Sequence, residues 1–127
     1  MKYFFDNCIS FRYVDMLKAL EVDAVHLTSQ FAPNIEDIAL FTELKGSQLV
    51  FISADTSQTT REREARALKE MGVTVLYFGP FWSNLDFWPQ AVWLLTKWPL
   101  IDGFARGADK GTIAEIKQKG RARYMPL

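Results

Sequence analysis

Short apolar runs alternate along this chain with longer amphipathic or polar stretches. The run KYFF, from Lys2 to Phe5, is apolar and aromatic, reads as a short buried strand, and ends abruptly at Asp6 and Asn7. In SFRYVDMLKAL, Phe11, Val14, Leu17 and Leu20 recur near helical spacing, with Ser10 placed as N-cap. DAVHL reads as a second strand. APNIEDIALFTELKG predicts a helix capped by Asn34 and closed by Gly46. QLVFIS is a third strand, leading to Asp55. The polar run TSQTTREREARALKEMG predicts one helix that Gly72 stops, and VTVLYF is a fourth strand. A last helix is expected from about Asn84 to Lys97, with Leu85, Trp88, Val92 and Leu95 on one stripe and Pro89 near its first turn. WPLIDG breaks the pattern, and GTIAEIKQKGRARYM alternates around Gly120 as a hairpin does.

The order β-α-β-α-β-α-β-α predicts an α/β fold: three layers, α/β/α, around a parallel central sheet, followed by a C-terminal β-hairpin. A length of 127 residues suits one domain with a core of its own, here an α/β core over 1–100 and an extension over 101–127. Apolar residues make up 49% of the chain and charged residues 24%, which excludes a disordered polymer. No run approaches the roughly 20 apolar residues of a membrane span, and the apolar start is too short for a signal peptide. Cys8 has no second cysteine to pair with. A reducing compartment is its natural setting, so a cytoplasmic protein is expected.

The net charge is zero but uneven. Residues 1–100 carry nine Lys/Arg against twelve Asp/Glu, and residues 101–127 carry six against three. An acidic body with a basic tail suits a metal site beside a polyanion-binding surface; a solvated hairpin accounts for the tail equally well.

In an open parallel sheet, residues that follow the C-terminal ends of the strands share one rim, where ligands bind. Asp6 follows the first strand, Asp55 follows the third, and Glu36 and Asp37 open the second helix. Such a cluster repels itself unless a cation neutralises it, and hard oxygen donors suit Mg²⁺ or Mn²⁺. The alternative for each acid is capping: Asp6 of the first helix, Asp55 of the third, and Asn34 with Asp37 as a capping box. Glu36 and Asp37 are about 100° apart on a helix, so the two are not equivalent ligands.

These stretches resemble the PIN-like ribonucleases, in particular a VapC-like toxin subgroup with a short PIN domain. FFDN followed by a helix is similar to the family's opening. PNIEDIALFTELKGSQLVFISAD resembles its acidic helix start, glycine turn and strand ending in Thr/Ser-x-Asp. TTREREARALKEMGVTVLYF and KWPLI resemble the elements that follow, so the likeness runs from about Lys2 to Trp98 and Pro99. It implies an Mg²⁺- or Mn²⁺-dependent ribonuclease acting on RNA, blocked by an antitoxin protein. It makes Asp6 and Asp55 metal ligands, with Glu36 or Asp37 as the helix acid; Asp6, Asp37 and Asp55 are the ligand set expected. Cys8, Ile9 and Ser10 depart from the family pattern, and Asn34 stands where an Asp is frequent. Glu64 and Asp86 are the candidates for a fourth acid.

Asn7 and Arg61 are the expected substrate contacts, since a guanidinium on the rim suits phosphate; the alternative is a solvated helix in which acids balance Arg61, Arg63 and Arg66. Lys117, Lys119, Arg121 and Arg123 would guide RNA by charge. His26 reads as structural, and Cys8 lacks companions for a zinc site. Trp82, Trp88, Trp93 and Trp98 crowd one helix and its ends; most of them are expected in the core and the remainder on a partner surface, which Trp82→Ala and Trp93→Ala would test, and a homodimer is a further partner expectation. Two other readings stand beside the nuclease. One is a receiver-like Mg²⁺-dependent phosphoacceptor, set aside because no clear fifth strand ends in a lysine. The other is a PIN-like RNA- or protein-binding module without chemistry.

Overall fold

The computed structural model describes residues 1–126. Its β-branched and aromatic runs form β1 (Lys2–Phe5), β2 (Ala24–His26), β3 (Leu49–Ser53), β4 (Thr74–Phe78), β5 (Ile113–Ile116) and β6 (Ala122–Tyr124). They make one six-stranded sheet in the order β2-β1-β3-β4-β5-β6, parallel except for β6. The helices are α1 (Phe11–Ala19), α2 (Asp37–Leu44), α3 (Glu62–Met71) and α4 (Phe87–Gly107).

The two-residue period of the strands sorts the side chains into two cores. Tyr3, Phe5, Val50, Ile52, Leu76 and Phe78 face α1 and α4, where Val14, Leu17, Trp93, Leu94 and Ile101 meet them. Phe4, Phe51, Val75 and Tyr77 face α2 and α3, where Leu40, Phe41, Leu44, Leu68 and Met71 cover them. The result is the three-layer α/β/α arrangement expected.

Several boundaries differ from those expected. The segment before α2 closes a turn from Ile35 N–H to Ala32 C=O over Pro33 and Asn34, so Glu36 is the N-cap and Asp37 the first helical residue. Asn34 caps nothing and the capping box is absent. The polar run after Asp55 splits into a 3₁₀ turn, Thr56–Thr59, and then α3. Helix α4 does not stop at Lys97; it runs through Pro99 to Gly107. An internal proline costs about 3 kcal/mol. Burial on both sides of it offsets that loss: Trp98, just before the proline, packs edge-on to Tyr3 at 4.7 Å, and Ile101 and Ala105, beyond it, are core residues. The C-terminal hairpin is not a separate appendage either. Its first strand pairs in parallel with β4, Val75 to Ile113 through Phe78 to Ile116, and the Trp93 indole donates to Gln118 C=O at 2.7 Å.

Trp82 and Trp93 are core residues, the role expected for most of the tryptophans, which leaves them unsuited to the docking surface considered at them; Trp88 is the exposed one, at 76%. No helix among the described residues is long and apolar enough to cross a membrane.

Candidate active site

Chain direction across the sheet reverses at β1: β2 lies on one side of it and β3 on the other. The crevice beyond the C-terminal ends of β1 and β3 is therefore the place where an open sheet offers a ligand site. The period of two that places Phe4, Phe51 and Val75 on the α2/α3 face carries on to Asp6, Ser53 and Tyr77. At this edge the same face changes from apolar to polar.

Asp6 is 7% exposed. Its N–H donates to Ile52 C=O at 2.8 Å, which extends the β1–β3 pairing past the strand end. Its Oδ1 accepts from the Asn7 backbone N–H at 2.8 Å. Its Oδ2 accepts from Ser53 Oγ at 2.7 Å and from Gln58 Nε2 at 3.2 Å. Gln58 Oε1 in turn accepts from the Tyr77 hydroxyl at 2.9 Å. Ser53, Gln58 and Tyr77 are fully buried. Asp6 does not cap α1; Ser10 does, accepting from Arg12 N–H at 3.2 Å. A carboxylate this closely bonded is held in one orientation.

Asp55 has a different role in the local fold. Its Oδ1 caps the Thr56–Thr59 turn, accepting from the Ser57 N–H at 3.2 Å and from the Ser57 hydroxyl. Its Oδ2 faces Arg61 at 3.5 Å. Arg61 also lies 3.7 Å from Asp37 and 3.5 Å from Glu64, and donates to Ser57 Oγ at 2.8 Å. Asp37, at the start of α2, has its carboxyl pushed above the usual carboxylate range, first by burial and then by the negative charge of Asp6; Asp55 adds to this, while Gln58 and Arg61 oppose it. Burial, followed by Asp6, Asp55 and Asp37, pushes the Tyr77 hydroxyl far above its ordinary value, so it stays a donor. Burial and Asp6 likewise raise the Cys8 thiol. The residue is exposed as a whole, but its sulfur turns inward, within 3.4 Å of Ser53 Oγ.

Asp6, Asp37 and Asp55 thus share one electrostatic environment, with Glu64 joined to it through Arg61. Glu36 does not join them: it is exposed, and no ion pair or side-chain hydrogen bond forms from it among the described residues. Asp86 is exposed at the start of α4. Asn7 turns its amide to Pro33 C=O at 3.2 Å and ties the loop after β1 to the approach of α2. His26 is structural, its Nε2 bonded to Ile9 C=O at 2.7 Å. Among the described residues no three His, Cys, Asp or Glu side chains are drawn together tightly enough to enclose an ion; the Arg61 guanidinium stands against Asp37 and Asp55.

Reasoning from the sequence missed Ser53, Gln58 and Tyr77. Ser53 carried a signal, as the first residue of Ser-x-Asp. Gln58 sits in a polar run without periodicity, and Tyr77 lies in a strand whose other residues are core.

A family model described as a PIN-like domain matches residues 1–79, a span that contains β1 to β4 and all of Asp6, Asp37, Asp55 and Arg61. No curated protein and no solved structure matches the chain.

Proposed function

The chain belongs to the PIN-like domain family, and we propose that it is a metal-dependent ribonuclease centred on Asp6, Asp37 and Asp55. Membership points to nuclease-type function in general. The observation that carries the finer reading is the convergence of three carboxylates, from three separate stretches, on the crevice where the sheet reverses.

The donor chemistry fits a hard dication. The set is all oxygen, and Arg61 offsets only part of its charge, since Asp37 still resists ionisation. Asp6, Asp37 and Asp55 are the residues that would hold Mg²⁺ or Mn²⁺. When bound, such an ion supplies a Lewis acid that lowers the pKa of water and steadies charge on a phosphodiester.

The chain's own groups do the rest. Ser53 and Gln58 hold Asp6 fixed in direction, and Tyr77 holds Gln58. The Arg61 side chain is 51% exposed and sits on the rim, so its fork can exchange carboxylates for a substrate phosphate. Asn7 lies exposed beside Asp6 and is the second substrate contact of this reading. A toxin role with an antitoxin partner follows from the resemblance to the VapC-like subgroup. Growth arrest on expression, relieved by Asp6→Asn, supports it; unhindered growth counts against it.

The test is incubation of the purified chain with a mixed RNA pool in Mn²⁺ or Mg²⁺, beside EDTA and Asp6→Asn controls. Cleavage that needs both metal and Asp6 is expected. Intact RNA with the folded chain would favour a binding module without chemistry.

One observation keeps the phosphoacceptor reading in view. It was set aside for want of a fifth strand followed by lysine, and β5 is parallel to β4 and followed by Lys117. Against it, Asp55 is engaged as a cap and Lys117 Nζ is paired with Glu115 at 3.2 Å. Labelling of Asp55 by acetyl phosphate would support that reading, and an unlabelled Asp55 disposes of it.

A further inference from the structure

The β5–β6 hairpin lies beyond the residues matched by the family model, and nothing in the carboxylate centre accounts for its charge. Residues 113–126 hold four Lys/Arg and one Glu, leaving the rest of the chain with eleven Lys/Arg against fourteen Asp/Glu. The hairpin is a basic element on an acidic body.

Two of its basic side chains, Lys117 and Arg123, are tied to one buried carboxylate. Glu115 is buried and sits opposite Arg123 in the antiparallel register. Its Oε1 accepts from Arg123 at 2.8 Å, and its Oε2 pairs with Lys117 at 3.2 Å. That carboxylate packs where Gly79 has no side chain: a Cβ there would lie 2.7 Å from Glu115 Oε2. The Trp93 bond to Gln118 pins the hairpin's tip to α4. Lys117 and Arg123 nevertheless keep about half of their side chains in solvent, available to a ligand.

A cleft of about 370 Å³ separates these two cations from Thr56, Thr59 and Thr60. The threonines belong to the turn that Asp55 caps, so the wall of the cleft begins at the carboxylate centre. At about 2 Å of rise per 3₁₀ residue, the turn carries this wall roughly 6 Å from Thr56, next to Asp55, to Thr59.

We propose that the cleft between the Thr56–Thr60 turn and the C-terminal hairpin carries the phosphate backbone of single-stranded RNA next to the scissile position, with Lys117 and Arg123 as phosphate contacts and Lys119 and Arg121 extending the track. The identity of the ligand rests on the ribonuclease reading; the site does not need the metal.

The test is fluorescence anisotropy of a labelled single-stranded oligoribonucleotide with the full chain carrying Asp6→Asn, in EDTA, across a salt series. Each phosphate-binding cation removed should lower the slope of log K against log salt by about 0.7, so Lys117→Gln with Arg123→Gln should lower it by about 1.4, whatever the base sequence. Lys119→Gln with Arg121→Gln, exposed and free of the Glu115 pairings, makes the same measurement if the first pair unfolds. An unchanged slope in a folded pair overturns the proposal. Competition by polyglutamate as strong as by RNA overturns the assignment of ligand. Hairpin-dependent binding in a chain that never cleaves RNA would uphold the track and sink the nuclease; cleavage with hairpin-independent binding would do the reverse.

Discussion

Gln58 is the keystone of the polar network, and its removal gives the sharpest test of the site's architecture. Gln58→Met keeps the length of the side chain and takes away both ends of its amide. Asp6 Oδ2 then loses a donor at 3.2 Å, and the fully buried Tyr77 hydroxyl loses its acceptor at 2.9 Å. A hydrogen bond to an acidic side chain contributes up to about 1.5–3 kcal/mol and an orphaned buried hydroxyl costs about 1–3 kcal/mol, so the variant should lose about 2.5–6 kcal/mol. Tyr77→Phe alone strands Gln58 Oε1 and should cost about 1–3 kcal/mol. In the double variant both orphaned groups are gone, and the total should fall short of the sum by about 2 kcal/mol or more. Urea unfolding of the four proteins measures this, because at an m-value of about 1–3 kcal/mol/M the midpoints separate clearly. Additivity to within about 0.5 kcal/mol would mean that Tyr77 and Gln58 do not act as a unit, and the account of how Asp6 is positioned would fail.

Asp37→Asn tests the strain in the carboxylate cluster. Burial, Asp6 and Asp55 raise the folded pKa of Asp37 above its unfolded value, so ionisation destabilises the fold as pH rises through that range. The variant should therefore melt above the parent at pH 7 in EDTA, with the gain vanishing in acid; a lower melting point at pH 7 contradicts the reasoning. Glu115 has the opposite sign. Burial would raise its pKa, but Arg123 and Lys117 outweigh it and hold the carboxyl below its ordinary range. Glu115→Gln should thus lose about 1–3 kcal/mol at pH 7, nearer the low end because both partners are half-exposed, and the deficit should close as pH falls through the folded pKa. Gly79→Ala, which drives a methyl group at the same carboxylate, should be destabilising by about 1–3 kcal/mol in the same unfolding assay. Among the tryptophans, Trp82→Ala should cost about 3–5 kcal/mol, whereas Trp88→Ala should stay within about 0.5 kcal/mol, the reverse of what a partner surface at Trp82 would give.

Much of the architecture was legible because strand and helix periods were clean. KYFF, QLVFIS and VTVLYF are strands in the expected order, and Ser10 caps α1 as its position predicted. The errors lie where tertiary burial overrides a local rule. Pro99 reads as a stop, yet Trp98 against Tyr3 and Ile101 in the core carry the helix past it. The alternating tail reads as a free hairpin, yet its apolar positions Ala114 and Ile116 complete a core that β4 leaves open. At the candidate site, the strand ends located Asp6 and Asp55, because topology alone places them on one rim. The choice between Glu36 and Asp37 depended on where a turn over Pro33 and Asn34 ends, which no periodicity encodes. Gln58 was invisible because a buried polar residue announces itself only through its partners.

The central claim is that Asp6, Asp37 and Asp55 form one metal-dependent centre that cleaves RNA, with Glu36 outside it. The most direct measurement compares cleavage of one RNA pool, in Mn²⁺, by the parent chain, Asp37→Asn and Glu36→Gln. Loss of cleavage in Asp37→Asn with parental rates in Glu36→Gln is the predicted result. Cleavage that survives Asp37→Asn, or that falls with Glu36→Gln instead, contradicts the account.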